Sequence, residues 1–178
     1  MSSMSGVLLW AVFALIPQLG FAQGCSATQE IAPTDRPPEL AARVRTCIQQ
    51  GQFELAMAHF YAFSSHALFD QQRVKDESAH VVVRELQGWM FGGWSAAQME
   101  GLGAVAAALR DPKNDLLNAV CAQLQANGPP TYEPGYMIIR GMVPRKNSGD
   151  WHHQDFDPTI AWRRALHELN NCPGAGDG

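Results

Sequence analysis

Charge is scarce in this chain. Of its 178 residues, 17% are Asp, Glu, Lys or Arg, against about a quarter in an average globular protein. The net charge is only -4, and the basic residues are scattered rather than grouped, so the cationic stripe that nucleic acid requires is missing. Acidic runs are missing too, which argues against a polyanionic tail. There is no C-x-x-C pair and no close Cys/His grouping, so nothing has the ligand spacing of a structural zinc site. Stretches with strand alternation are also lacking, apart from an ambiguous "YMIIRGMV" between Tyr136 and Val143. No complete catalytic constellation is present, and neither a metal nor another cofactor is expected.

What the chain does contain begins with an export address. Residues 1–22 hold the apolar stretch "GVLLWAVFALI", then Pro17 and the small residues Gly20 and Ala22. This predicts a secretory signal peptide cleaved after Ala22, and hence a periplasmic protein without stable membrane insertion after cleavage. Two alternatives stand beside it. The n-region "MSSMS" carries no Lys or Arg, which would suit an uncleaved N-terminal anchor. "AQGC", ending at Cys25, resembles part of a bacterial lipobox, which would imply a lipid anchor.

All four cysteines, Cys25, Cys47, Cys121 and Cys172, lie beyond the proposed cleavage point. An even number in an exported chain predicts disulfides. Of the three possible pairings, Cys25 with Cys47 and Cys121 with Cys172 is favoured. Each of these bridges would fasten a terminal segment to a neighbouring helix.

The remainder divides into a proline-rich linker over 23–38, a helical domain over 39–172 and a flexible tail over 173–178. Leu40, Val44, Cys47 and Ile48 repeat at helical spacing until Gly51, and Phe53, Ala56, Met57, Phe60, Ser64 and Ala67 follow on a second helix. The Gly51, Phe53, Ala56 and Phe60 spacing resembles one tetratricopeptide hairpin. A repeat architecture needs several copies, and no second copy is found, so that family's function is not carried over. Asp70 is placed as the cap of a third helix over about 72–90. Ser95 and Gln98 form a capping box for a fourth, and Asp111-Pro112 signals the start of a fifth that ends at Gly128-Pro129-Pro130. Asp157 and Pro158 open the last. The expected fold is all-α: about six helices in one orthogonal or bundle-like domain, with a long ordered loop before the last helix.

Several patterns suggest chemistry. "GWSAA" around Ser95 resembles a nucleophile elbow, but that motif needs a preceding strand, and a helix N-cap accounts for the serine. His59 and His66 share one side of the second helix, and Asp76 and His80 are four apart; with no third ligand in sequence, both pairs read as histidines that hold helices together. "SGDWHHQDFDPTIAW", Ser148 to Trp162, concentrates His152, His153, Asp155 and Asp157, ligand types that suit a divalent cation. Asp157 is better used as a helix cap, which removes one of the four.

More telling is the connection from Asn127 to His153, which is rich in Pro and Gly yet carries Tyr132, Tyr136, Met137, Arg140 and Trp151. A disordered linker would not hold so many aromatic and apolar residues. Residues of these types are enriched at protein interfaces. The expected partner-binding set is therefore Tyr132, Tyr136, Met137, Arg140, Trp151, His152, His153 and Asp155. An alternative use of the loop is as a plug, with Ile138 and Ile139 stopping the open end of the core.

Together these readings predict an exported, non-enzymatic binding protein. Its most concrete form is an immunity or inhibitor protein that occupies a toxin or enzyme in the bacterial envelope. A small periplasmic hydrolase using the 152–157 cluster, with or without metal, is the alternative from another class. An adaptor or assembly factor of an envelope machine is a third.

Overall fold

A computed structural model describes Cys25, residues 30–142, residues 150–170 and Cys172. The proposed signal peptide, its cleavage point, part of the linker and the proposed tail lie outside these residues. The described chain is all-α: α1 (Pro37–Gln49), α2 (Phe53–Arg73), a 3-10 turn (Glu77–His80), α3 (Val81–Phe91), α4 (Ala96–Ala108), α5 (Asp115–Asn127), a one-turn α6 (Gly135–Ile138) and α7 (Pro158–Asn170). Among the described residues there is no strand, only one antiparallel bridge between Val74 and His152. None of the described helices is long and apolar enough to cross a membrane.

Local chemistry sets most of these boundaries. Gly51, at φ +70°, takes the left-handed conformation that lets α1 turn directly into α2. At α4 the Ser95 hydroxyl accepts from the Gln98 amide at 3.3 Å while the Gln98 side chain accepts from the Ser95 amide at 3.0 Å. This is the expected capping box, and it absorbs the serine. At α7 the Asp157 carboxylate accepts from the amides of Thr159 and Ile160 at 2.8 and 3.0 Å, with Pro158 in the first helical position.

Two boundaries differ from the sequence reading. Asp111 binds the Lys113 amide within a turn, and it is Asn114 that caps α5, through the amides of Leu116 and Leu117. More consequentially, α2 does not stop before Asp70. It runs on to Arg73, and the next turn is capped by Asp76, whose carboxylate accepts from the Ser78 amide.

Helix α2 is the axis of the domain. It packs against α1, α4, α5 and α7, so residues on almost every side of it are buried, from Ala56 through Phe63, His66 and Phe69 to Arg73. Phe63, Phe69, Leu40, Ile48, Met90, Leu124, Met137 and Leu166 supply the bulk of the core. Trp162 of α7 presents its ring between His66 and Phe69 in edge contacts at 5.5 and 5.9 Å.

Disulfides join Cys25 to Cys47 on α1, and Cys121 on α5 to Cys172 just past α7. This is the favoured pairing. The second bridge spans 51 residues, and a loop of that size is worth about 4 kcal/mol in the chain-entropy account.

Candidate binding edge

The site is built outward from α2. His59, His66, Asp70 and Arg73 recur along one side of that helix, and all four are buried. Buried polar groups need partners, and the position of these four decides what surrounds them. The Asp70 carboxylate is 0% exposed. Its Oδ1 accepts from Arg73 Nε at 2.9 Å and lies 2.7 Å from Nη2. Its Oδ2 accepts from two phenols of the long loop, Tyr132 at 3.0 Å and Tyr136 at 2.8 Å.

Burial pushes the Asp70 carboxyl up to about 6, against the downward pull of Arg73 and the two phenols. The same burial, reinforced by the Asp70 charge, raises both phenols well above their ordinary value, so each remains a hydrogen-bond donor. The Arg73 guanidinium lies over the rings of Phe69, Tyr132 and Trp151 at 5.0, 5.1 and 5.7 Å. One buried ion pair thereby holds both halves of the loop.

Both histidines are neutral at pH 7. Burial above all lowers His66 to about 4, and its Nδ1–H donates to the Asp35 carbonyl at 2.8 Å. Burial followed by the nearby Arg43 charge lowers His59 to about 4 as well. His59 Nδ1 has no hydrogen-bond partner among the described residues.

These contacts sort the sequence-predicted binding residues into two groups. Tyr132 and Tyr136 turn their hydroxyls inward to Asp70, Met137 is fully buried and Trp151 is half-buried. They anchor the loop, because a phenol bound to a buried carboxylate cannot also face a partner. Arg140, His152, His153 and Asp155 are exposed. The stopper role expected of Ile138 and Ile139 divides in the same way: Ile138 is buried, whereas Ile139 is 75% exposed.

The outer edge is held in place at several points. The Met142 amide donates to Ser78 Oγ at 2.9 Å, and Arg140 pairs with Glu85 of α3 at 2.7 Å. A Cβ at Gly141 would run into the Asp76 carboxylate, so glycine permits this close approach. On the other side, the Lys75 amide donates to the Trp151 carbonyl at 3.0 Å and the His153 amide to the Arg73 carbonyl at 3.1 Å. Lys75 and Asp150 form an ion pair. Met142, 81% exposed, therefore stands with Ile139 and Arg140 on a braced strip of chain.

Beside this edge lies an open cleft of about 530 Å³ between the end of α2, the 3-10 turn and the start of α7. His80, His153, Glu77, Asp155 and Arg164 are among its lining residues. His80 Nε2–H donates to the Val74 carbonyl at 2.9 Å, and Asp157 is occupied in capping α7. Among the described residues, no three His, Cys, Asp or Glu side chains converge closely enough to hold a metal ion.

Sequence reasoning missed the Asp70–Arg73 keystone. The available signal was an Asp and an Arg one helical turn apart at the end of a helix whose only other charged residue is Glu54, a spacing at which opposite charges meet. No protein-family model, curated protein or solved structure matches the chain, so function is argued from the geometry itself.

Proposed function

We propose that this protein is an exported, periplasmic, non-enzymatic binding protein, and most concretely an immunity or inhibitor protein that occupies a toxin or enzyme of the bacterial envelope. The observation that carries this reading is the braced edge Ile139–Arg140–Met142. Two large apolar side chains are exposed there on backbone fixed by buried anchors, an arrangement that lowers the entropy lost when a partner binds. Both disulfides fit an oxidising compartment. Arg140, His152, His153 and Asp155 form the polar part of the proposed contact surface, with Tyr132, Tyr136, Met137 and Trp151 supporting it from below. A hydrolase using His153 and Asp155 is the second reading, favoured only by their place in the cleft beside Glu77 and His80.

The test is a binding titration between the purified protein and the product of its adjacent gene. Met142→Asp or Ile139→Asp is expected to weaken binding by about 1 to 3 kcal/mol with an unchanged Tm. Unaltered affinity in both variants would move the contact away from this edge. Hydrolytic turnover lost on His153→Ala would establish the second reading.

A further inference from the structure

Helix α4 is built almost wholly of apolar and small residues, with Gln98 and Glu100 its only polar side chains. Within Ala96–Ala108 Glu100 is the only charged residue, yet Leu102 is the only buried one. A helix of this composition ordinarily sits inside a core. Its inner edge is accounted for by Leu102, by Leu109 just past its end, and by Gly101, where a Cβ would run into the Phe53 ring. Its outer side is not.

That outer side has a specific pattern. Ala96, Glu100, Gly103 and Ala107, with Arg110 in the turn that ends the helix, are all exposed. They are separated by four, three, four and three residues, the alternation that keeps a seam facing one neighbouring helix. A Cβ on Gly103 would meet nothing within 4 Å. Met99 flanks the seam at 44% exposure. Neither Glu100 nor Arg110 has an ion-pair partner among the described residues.

We propose that this face of α4 pairs with the same face of a second copy of the chain, antiparallel, with the two-fold axis level with Val105. In an antiparallel pair, a seam residue before the axis faces the residue equally far beyond it on the other helix. Glu100 then faces Arg110, and Gly103 faces Ala107. Two-fold symmetry makes each contact twice. The Gly–Ala centre lets the two backbones approach closely, while an ion pair at each end fixes direction and register. A parallel pairing would set Glu100 against Glu100 and Arg110 against Arg110, and like charges oppose it. The seam is about 20 Å long at 1.5 Å per residue. Such a strip buries less than the roughly 1,200 Å² of a stable interface, so the dimer is weak and concentration-dependent.

Sedimentation velocity on the oxidised chain, from about 1 to about 300 µM, tests this. A monomer–dimer equilibrium is expected. Glu100→Arg alone, or Arg110→Glu alone, should weaken it at least about tenfold, and the double variant should return to within about threefold of the native constant. Both changes are on exposed positions, so the circular dichroism of all three variants should be unaltered. A monomer throughout the range, single reversals without effect, or no restoration in the double variant would each overturn the proposal.

Discussion

Acidification from pH 7 to pH 4 should destabilise this protein by an amount that the buried face of α2 sets. His59 and His66 titrate at about 4 in the folded chain against about 6.5 unfolded. Over that window the unfolded chain holds more protons at these sites, so their contribution to stability is present above 6.5 and is lost as pH falls. Each difference is worth about 3 kcal/mol. Asp70 works in the opposite sense. Its folded carboxyl titrates at about 6 against about 3.9 unfolded. The folded chain therefore takes up its proton first and gains about 3 kcal/mol on acidification through that window.

The balance is a net excess of about one proton on the unfolded chain and a loss of about 3 kcal/mol by pH 4. Urea unfolding at half-unit pH steps, followed by circular dichroism, measures it. His59→Leu sharpens the test, because His66 and Asp70 then offset each other and the curve should flatten between pH 6 and 4. Stability that is level or rising on acidification in the native chain would refute the placement of two neutral histidines in the core. So would a His59→Leu variant with undiminished acid sensitivity.

Other perturbations reach the remaining parts of the scaffold. Tyr136→Phe removes one of two phenols from a buried carboxylate and should cost about 1.5 to 3 kcal/mol in chemical denaturation; a change below about 0.5 kcal/mol would mean that Tyr132 alone holds the loop. The same variant should increase hydrogen exchange in residues 132–142 before it affects α1, since only the loop loses an anchor. Cys172→Ser opens the longer disulfide loop and should lower stability by about 4 kcal/mol, read as a shift in denaturant midpoint against the oxidised chain.

Much of the fold was legible because its signals are local. The Ser95–Gln98 box and the Asp157–Pro158 start operate within three residues, so no knowledge of the rest of the chain is needed to read them. The pairings Cys25–Cys47 and Cys121–Cys172 followed from the need to fasten chain ends to adjacent helices. Asp70 was read by the same local rule and misassigned, since an Asp between two helical runs has the pattern of a cap. In the folded chain, Arg73, Tyr132 and Tyr136 satisfy its carboxylate, which leaves α2 free to continue past it. The start of α5 moved from Asp111 to Asn114 for a smaller reason: two capping residues stood three apart, and only the second reaches the amides of Leu116 and Leu117.

The binding edge shows the same division. Composition marked the 127–153 connection as rich in contact-forming residue types, and its described residues, 127–142 and 150–153, are held against the helices. Composition could not tell Tyr136 from Met142, because either side chain could be anchor or contact. That choice depends on where a buried carboxylate lies, and Asp70 is 66 residues from Tyr136 in sequence.

From the amino-acid sequence alone come the helical class, the capping boundaries, the cysteine framework and the scarcity of charge that argues against nucleic acid. These rest on periodicity, on side chains that reach their own backbone, and on composition. The tertiary structure alone decided which polar residues are interior, which histidines stay neutral, which half of the loop faces outward and that α4 leaves a charged seam uncovered. Each of these depends on desolvation by residues far away in the chain, and burial is a property of the whole packed molecule rather than of any segment.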